Sequence, residues 1–327
     1  MLRILCGKPS SIRSAFRPIQ SFKIVSQATM ATGKAENMDL QANSLFDVSH
    51  LTAVVTGGGT GIGLMITQAL QSNGAKVYIT GRRKEVLEET AKRYSTGPGS
   101  LIPLPGDVST KDGAIQLAKE IESKEAKGIH LLVNNAGIAR DDATKYSSAG
   151  QPEMADAKSI SEHFLKSEQD EWANTFQTNV AGAYYMSMAF LPLLAKGHDA
   201  TPGYTSQVVN VTSISGVMKG PSMGQPIYAT SKAAATQLSR VLAALFTEVK
   251  IRVNTIAPGI FPSEMTAGSS EEDNKSNLDI NPSNPAGRTG HDTDMGATIL
   301  FLAGKGGLFY NGQILYPDGG EPPEVSA

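Results

Sequence analysis

The sequence has few of the features that mark secreted scaffolds, membrane spans and strongly charged proteins. Its single cysteine, Cys6, cannot form a disulfide within the chain, which excludes a small scaffold held together by disulfides. No run approaches the ~18 consecutive apolar residues of a membrane-spanning helix, so we expect no membrane insertion. With 29 basic and 31 acidic residues the net charge is −2, which gives no electrostatic reason to expect a nucleic-acid partner.

Metal ligands at a recognisable spacing are also lacking, so the sequence predicts no metal site. The histidines are scattered singly along the chain, at His50, His130, His163, His198 and His291. Glycine, by contrast, is abundant, with 33 residues, and hydrophobic residues make up 40% of the chain. This composition is typical of a soluble α/β protein with a sizeable core.

The first 34 residues contain no acidic side chain but six basic ones, and the first acid is Glu36. Ile12, Ala15, Phe16 and Ile19 recur at helical spacing, with arginines on the opposite face. A basic, serine-rich, amphipathic segment of this kind is typical of a mitochondrial transit peptide.

We therefore predict that residues 1–45 form an N-terminal extension, a transit peptide followed by a linker, and that the protein is mitochondrial. A tail with chance charge is the alternative interpretation of the composition. Met30 could serve as an internal start, which would give a cytoplasmic form.

From residue 46 onward, short apolar runs alternate with amphipathic segments. The predicted strands are Leu51–Val55, Lys76–Thr80, Leu101–Leu104, Ile129–Val133, Ser206–Val211, Ile251–Ile256 and Gln313–Tyr316. The predicted helices cover about 62–73, 84–94, 110–126, 168–195, 226–248 and 291–303. This alternation predicts one α/β domain over 46–327, a Rossmann-type doubly wound parallel sheet of about seven strands with helices on both faces. The polar stretch 140–163 is predicted to be a long loop with a possible short helix. The polar stretch 262–290 is predicted to be a mobile surface segment.

A glycine-rich turn follows the first predicted strand. Glycines at such a turn let the backbone approach a pyrophosphate and let the next helix pack against the sheet. The chain has no Gly-Lys-Ser/Thr sequence, which disfavours a nucleoside triphosphatase. The candidate cofactor-binding residues of this turn are Thr56, Gly57, Thr60, Gly61, Ile62 and Gly63.

Two arginines, Arg82 and Arg83, follow the second predicted strand, where a site for NAD would place an acid on the ribose hydroxyls. Guanidinium groups can instead bind the 2′-phosphate of NADP with paired hydrogen bonds. The pair therefore favours NADP over NAD, with Arg82 the better candidate, although a surface charge pair at a helix start would look the same.

Tyr228 and Lys232 lie four residues apart in a predicted helix, which places them on one face. A phenol has a pKa of about 10 and needs a nearby positive charge to act in proton transfer near pH 7. Ser213 follows the fifth predicted strand, and the carboxyl ends of parallel strands are where ligands bind in such folds. The three residues are candidate catalytic groups.

These motifs, in their order along the chain, resemble those of the short-chain dehydrogenase/reductase family. The resemblance covers about residues 46–320. It rests on Thr56-Gly57-x-x-x-Gly61-x-Gly63, Asp107-Val108, Asn134-Asn135-Ala136-Gly137, Asn179-Val180, Ser213, Tyr228-x-x-x-Lys232 and Pro258-Gly259.

The resemblance implies a set of four catalytic residues. Tyr228 would donate the proton to a carbonyl oxygen, and Ser213 would hydrogen-bond the same oxygen. Lys232 would hold the nicotinamide ribose and lower the pKa of Tyr228, while Asn179 would anchor a water that links Lys232 to solvent. Thr212 and Ser215 are the alternatives to Ser213, because the insertion 218–225 leaves the local geometry open.

The resemblance also implies an NADP(H) cofactor and further residues that bind it. Asp107 would contact the adenine, and Asn134 the adenosine ribose and the central strands. Ser263 would replace the threonine with which the family usually binds the carboxamide. The remaining cofactor-binding positions that it implies are Val108, Ala136, Gly137, Pro258, Gly259 and Ile260.

The activity that the resemblance implies is an NADPH-dependent carbonyl reduction. The pattern is nearest to reductases of 3-oxoacyl thioesters, including the rhamnolipid-pathway-like reductases found in fungi. The alternatives are a ketoreductase of secondary metabolism, on a polyketide or terpenoid, and a sensor that binds NADP(H) without turnover. The apolar residues Met218, Met223, Phe261 and Met265 could line a substrate mouth. Family members assemble through their two long helices, so we expect a homotetramer or homodimer.

Overall fold

The computed structural model describes residues 37–280 and 282–320. The predicted transit peptide and the internal start at Met30 lie outside the described residues, and the localisation stays a prediction. The described residues lie within one compact unit. Its first helix, α1 (Ala42–Leu45), contacts the turn at Lys305–Gly307, so packed structure begins before the predicted boundary at residue 46.

Seven parallel strands form the single sheet of the described residues, as the sequence predicts. They are β1 (Thr52–Thr56), β2 (Lys76–Gly81), β3 (Ser100–Pro105), β4 (Leu131–Asn134), β5 (Gln207–Val211), β6 (Arg252–Ile256) and β7 (Ile314–Leu315). Their order is β3-β2-β1-β4-β5-β6-β7, so the winding direction reverses between β1 and β4. Strands β1, β4, β5 and β6 are buried along their whole length because helices cover both faces of the sheet.

The larger helices divide between the two faces of the sheet. On one face, α2 (Gly61–Ser72), α3 (Lys84–Tyr94) and α11 (Asp292–Ala303) bury one apolar cluster. On the other face, α4 (Lys111–Lys124), α8 (Ala183–Ala200) and α9 (Pro226–Leu245) bury a second. The remaining helices are α5 (Tyr146–Ala149), α6 (Ala157–Phe164), α7 (Gln169–Phe176) and α10 (Glu264–Ala267). None of the helices in the described parts of the chain is long and apolar enough to cross a bilayer.

The structure differs from the sequence-based prediction in one predicted helix and adds short helices to two polar stretches. The predicted long helix 168–195 is divided into α7 and α8 by a π-helical turn, Gln177–Gly182. The polar stretch 140–163 contains α5 and most of α6, and 262–290 contains the single turn α10. The division of the long helix comes with hydrogen bonds between Asn179 of the π-helical turn and Ile138, 41 positions earlier, which a local sequence pattern does not report.

Candidate active site

The carboxyl ends of the strands bring the predicted site residues to one edge of the sheet. Thr56, at the end of β1, accepts hydrogen bonds at its Oγ1 from the main-chain N–H groups of Asn135 and Ala136, both at 2.9 Å. These bonds join the ends of β1 and β4, between which the winding reverses. In doubly wound sheets this reversal opens the crevice where ligands bind.

The glycine-rich turn leads from β1 into α2 with almost no room for side chains. A Cβ on Gly63 would lie 2.0 Å from the carbonyl oxygen of Gly57, so only glycine lets α2 pack this close to the turn. Gly61 has a φ of +51°, which disfavours other residues, and a Cβ there would lie 3.0 Å from the Cβ of Ser263. The glycines therefore let the turn lie close to both α2 and the segment after β6.

The first turn of α2 suits an anion. It contains no acidic residue, and the hydroxyl of Thr60, the residue before the helix, caps none of its main-chain N–H groups. Free N–H groups and the helix dipole both favour a phosphate at such a position. Ile62 of this turn is partly buried against the apolar cluster under α2. These residues fit the pyrophosphate of a dinucleotide.

The two arginines after β2 have different partners. Arg82 is exposed, and its charge acts on Asp107, which follows β3. Burial raises the pKa of Asp107, but hydrogen bonds from Ser109 and the charge of Arg82 outweigh it and leave the pKa below its usual value. Arg83 instead forms a bidentate ion pair with Glu264 of α10, with N···O distances of 3.0 and 2.8 Å. The guanidinium of Arg83 is therefore shared with a carboxylate, whereas Arg82 faces solvent.

Helix α9 places Tyr228 and Lys232 together, as their spacing predicts. The Nζ atom of Lys232 lies 5.5 Å from the centre of the Tyr228 ring. Lys232 is 4% exposed and donates a hydrogen bond to the carbonyl oxygen of Val211 at 3.2 Å. Ser213 lies two residues after Val211, the last residue of β5. The hydroxyl of Ser213 is hydrogen-bonded to the phenol of Tyr228.

Burial moves the pKa values of the two groups in opposite directions. It raises the pKa of Tyr228 to about 12, and hydrogen bonding to Ser213 only partly opposes this rise. It lowers the pKa of Lys232 to about 8. At neutral pH the phenol therefore keeps its proton and the ammonium group keeps its charge.

The serine that meets Tyr228 is one of three neighbouring hydroxyl residues. Ser215 is occupied elsewhere, because its Oγ accepts a hydrogen bond from Ser222 at 2.8 Å. The hydroxyl of Thr212 is buried and has no partner among the described residues. Of the three, Ser213 has the contact with Tyr228.

The π-helical turn places Asn179 beside Lys232. The Asn179 amide accepts a hydrogen bond from the N–H of Ile138 at 2.8 Å and donates to the Ile138 carbonyl and the Ser231 hydroxyl, both at 2.9 Å. A Cβ on Gly137 would lie 3.2 Å both from Oδ1 of Asn179 and from Nζ of Lys232. The turn thus fixes the loop after β4 against α9. The side-chain contacts of Asn179 are with protein groups.

Asn134 is buried between two strands and a helix. Its Nδ2 donates to Oδ1 of Asn210 at 2.9 Å and to the hydroxyl of Ser187 at 3.0 Å, which joins β4 to β5 and α8. Val108 is also buried, and its carbonyl lies where a Cβ on Gly182 would be 2.7 Å away. The structure therefore places both residues in contacts within the protein.

The segment after β6 closes the other side of the cleft. The Pro258 carbonyl accepts a hydrogen bond from Ile214, the N–H of Gly259 donates to Pro317, and Ile260 accepts from Gly290. The Ser263 hydroxyl caps α10 by accepting from the N–H of Thr266 at 3.3 Å. Phe261 belongs to the buried core, not to a substrate mouth, because its ring packs against Gly290.

Two site residues were absent from the sequence-based candidates. The Nδ2 of Asn135 donates to the carbonyls of Thr56 and Gly57 at 3.0 and 3.3 Å, which braces the glycine-rich turn. The Asn134-Asn135-Ala136-Gly137 motif was a signal for it. Asp141 contacts the start of α9, and nothing in its local sequence distinguishes it from the exposed Asp142.

Comparison with known proteins agrees with this geometry. A family model described as Enoyl-(Acyl carrier protein) reductase matches residues 57–321. The short-chain dehydrogenase/reductase PhomF′ of Diaporthe leptostromiformis is 41% identical over 289 residues, which cover 86% of this chain and 94% of that protein. The rhamnolipids biosynthesis 3-oxoacyl-[acyl-carrier-protein] reductase of Pseudomonas aeruginosa is 34% identical over 278 residues, 84% of this chain and 97% of that protein.

A solved structure has the same fold. The Pseudomonas aeruginosa RhlG/NADP active-site complex superposes with a TM-score of 0.70 at 32% identity and covers 84% of this chain and 98% of its own. The family model matches most of the chain, and the parallel sheet carries Tyr228, Lys232 and Ser213 at its carboxyl edge. Both observations lead to one assignment. The chain belongs to the short-chain dehydrogenase/reductase family of oxidoreductases.

Proposed function

We propose that this chain is an NADPH-dependent carbonyl reductase that interconverts a ketone and a secondary alcohol, with 3-oxoacyl thioesters as its substrates. The observation that carries the proposal is the meeting of Tyr228, Lys232 and Ser213 at the carboxyl edge of the sheet. The substrate class is supported by the similarity to the 3-oxoacyl-[acyl-carrier-protein] reductase of Pseudomonas aeruginosa.

In this mechanism Tyr228 is the proton donor. Burial keeps its phenol protonated at neutral pH, so the proton is available for the carbonyl oxygen of the substrate. Ser213 donates a hydrogen bond to the same oxygen and stabilises the charge that develops there. Lys232, charged below a pKa of about 8, stabilises the phenolate that remains after the proton has moved. A nicotinamide cofactor, when bound, supplies the hydride that the carbonyl carbon accepts.

The residues present fit NADP(H) better than NAD(H). No acidic residue ends β2, whose last residue is Gly81, and the exposed Arg82 follows it. A guanidinium at this point can bind a 2′-phosphate, and Arg82 would be the main contact because Arg83 is paired with Glu264. The first turn of α2 would hold the pyrophosphate, and Asp107 the adenine.

We also infer that the protein works as a homotetramer or homodimer on a small-molecule substrate. Val241 and Leu245 of α9 are exposed although they are large and apolar, which is typical of a surface that a second subunit covers. Light scattering on the purified protein measures the assembly, and a monomeric mass would contradict this inference.

The test is an NADPH-oxidation assay of the purified protein against 3-oxoacyl thioesters and bulky cyclic ketones, with NADH run in parallel. We expect turnover of the thioesters with NADPH. Tyr228→Phe should lower kcat by about 10²–10⁴-fold, the usual contribution of a positioned proton donor, without loss of NADPH binding. Tyr184→Phe, an exposed tyrosine of α8, is the matched control and should behave as the wild type.

Other outcomes would move the protein to a different function. Turnover of bulky cyclic ketones alone would indicate a ketoreductase of secondary metabolism. NADPH binding without turnover of either class, unchanged in Tyr228→Phe, would indicate a sensor and contradict the enzymatic proposal.

A further inference from the structure

Asp141 is a buried carboxylate outside the catalytic set. It lies in the loop that follows β4 and is 2% exposed. One carboxylate oxygen accepts a hydrogen bond from the main-chain N–H of Ile227 at 2.9 Å, and the other accepts from the N–H of Tyr228 at 3.1 Å. Both bonds end on the first turn of α9, and one of them on the catalytic residue itself.

Helix α9 has no cap of its own. The residue before it, Gln225, makes no capping hydrogen bond with its side chain, and the first turn has no acidic residue. Pro226 opens the helix and carries no N–H group. Asp141 therefore satisfies two main-chain N–H groups that the helix leaves without partners, and its negative charge faces the positive end of the helix dipole.

The loop that contains Asp141 is itself fixed by hydrogen bonds. The main-chain carbonyl of Asp141 accepts hydrogen bonds from Thr144 at 3.0 Å and Lys145 at 2.7 Å. The hydroxyl of Thr144 donates to the carbonyl of Gly224 at 2.8 Å, in the insertion just before α9. Three residues before Asp141, Ile138 is bound to the amide of Asn179. The loop 138–145 thus links the π-helical turn, the insertion and the start of the catalytic helix.

We propose that Asp141 is a positioning residue that sets where the phenol of Tyr228 stands relative to Ser213 and Lys232. It acts through the main chain of Tyr228. A shift of about 1 Å in a reacting group can cost on the order of 10²-fold in rate, so two hydrogen bonds at this point are sufficient to matter. The inference rests on the proposed function, since it concerns the same site.

The experiment compares Asp141→Asn with Asp142→Asn, its exposed neighbour in the sequence. The asparagine amide turns an N–H group toward one of the two main-chain donors, so one of the two hydrogen bonds is lost. We measure kcat with a 3-oxoacyl thioester per NADPH-binding site, which removes the effect of any unfolded fraction. We expect kcat to fall on the order of 10–100-fold in Asp141→Asn, with the Kd for NADPH within twofold of the wild type, and no change in Asp142→Asn.

Thr144→Val gives a second, milder variant with a side chain of the same shape. It removes the hydroxyl that holds the Asp141 loop to Gly224, and a fall of a few-fold in kcat with unchanged NADPH affinity supports the proposal. Retention of wild-type kcat per binding site in both variants overturns it. A parallel fall in kcat and NADPH affinity in Asp141→Asn also overturns it, because that result indicates a general loss of structure.

Hydrogen exchange at the start of α9 tests the hydrogen bonds of Asp141 without requiring turnover. Faster exchange of the Ile227 or the Tyr228 amide in Asp141→Asn, with the centre of α9 unchanged, supports the proposal, and unchanged exchange of both overturns it. This measurement decides the inference even if the wild type reduces none of the carbonyls, in which case it is the proposed function that has failed.

Discussion

Buried polar side chains at opposite ends of the sheet differ in their hydrogen bonds. At the amino end Arg252 and His130 are bonded within the protein, whereas at the carboxyl end Lys232 has one protein acceptor and the hydroxyl of Thr212 has no partner among the described residues. Arg252 opens β6 and is 6% exposed, and its guanidinium donates to Thr205 at 2.7 Å, Gln207 at 3.1 Å and the carbonyl of Gly307 at 2.9 Å. Lys232, buried to a similar degree at the other end, donates to the Val211 carbonyl alone among the described residues.

His130 illustrates the amino end most clearly. Its Nδ1 accepts a hydrogen bond from the N–H of Thr52 at 3.0 Å, so Nε2 carries the proton and donates to the hydroxyl of Thr201 at 2.8 Å. At the carboxyl end, the hydroxyl of Thr212 has no partner within the described ranges. Removal from water costs free energy at both ends, but at the amino end internal hydrogen bonds offset that cost. We infer that Arg252 and His130 at the amino end stabilise the fold and that Lys232 at the carboxyl end serves the reaction.

The largest expected effect separates activity from stability at Lys232. Lys232→Met replaces a buried charge with an apolar side chain of similar length, so kcat should fall on the order of 10³-fold. The free energy of unfolding should stay the same or rise by about 1 kcal/mol, because the desolvation of the charge is removed. NADPH oxidation and denaturant unfolding measure the two quantities. Lys158→Met, at an exposed lysine of α6, is the control. If Lys232→Met lowered the free energy of unfolding by more than about 2 kcal/mol, Lys232 would stabilise the fold as the amino-end groups do, and the two ends of the sheet would not differ in this respect.

The next effect is a pH dependence of stability at the amino end. Burial lowers the pKa of His130 to about 4, from the ordinary histidine value of about 6.5. Between these values the unfolded chain binds a proton that the folded chain does not, so the free energy of unfolding falls as the pH drops from about 6.5 to about 4, by at most about 3 kcal/mol.

The variant His130→Asn isolates this contribution. Its oxygen can still accept from the N–H of Thr52, but it does not titrate, so its stability should fall less steeply with pH than that of the wild type. Urea unfolding at a series of pH values measures the difference. Identical slopes for the two proteins would show that His130 does not titrate as its environment predicts.

The smallest effect on stability is expected at the exposed ion pair between Arg83 and Glu264. Pairs this accessible to solvent contribute about 0–1 kcal/mol, so Glu264→Gln should change the free energy of unfolding by less than about 1 kcal/mol. The variant frees the guanidinium for a 2′-phosphate, and we expect a few-fold gain in affinity for NADPH but not for NADH. Fluorescence titration with both cofactors measures this, and equal changes for the two would argue against a phosphate contact at Arg83.

Much of the fold and of the site could be predicted from local pattern. The parallel sheet follows from alternating apolar runs and amphipathic segments, because strand and helix periodicities are local. Tyr228 and Lys232 could be paired because four residues make little more than one helical turn. The glycine-rich turn could be found because its conformational requirement belongs to the residues themselves.

Other features depend on residues that are distant in the chain. Nothing near Arg82 and Arg83 indicates which one meets Glu264, 181 positions after Arg83. The π-helical turn between α7 and α8 contains Asn179, whose side chain is hydrogen-bonded to Ile138 in the loop after β4.

By itself the sequence determined the order of strands and helices, the glycine-rich turn and the spacing of the catalytic pair, because these are set by neighbours along the chain. Tertiary structure alone decided which of two adjacent aspartates, Asp141 or Asp142, caps α9, a contact that joins residues 86 positions apart. The physical reason is that burial and hydrogen-bond partners are properties of position in space. Identical side chains next to each other in sequence acquire different roles when one faces the interior and the other faces water.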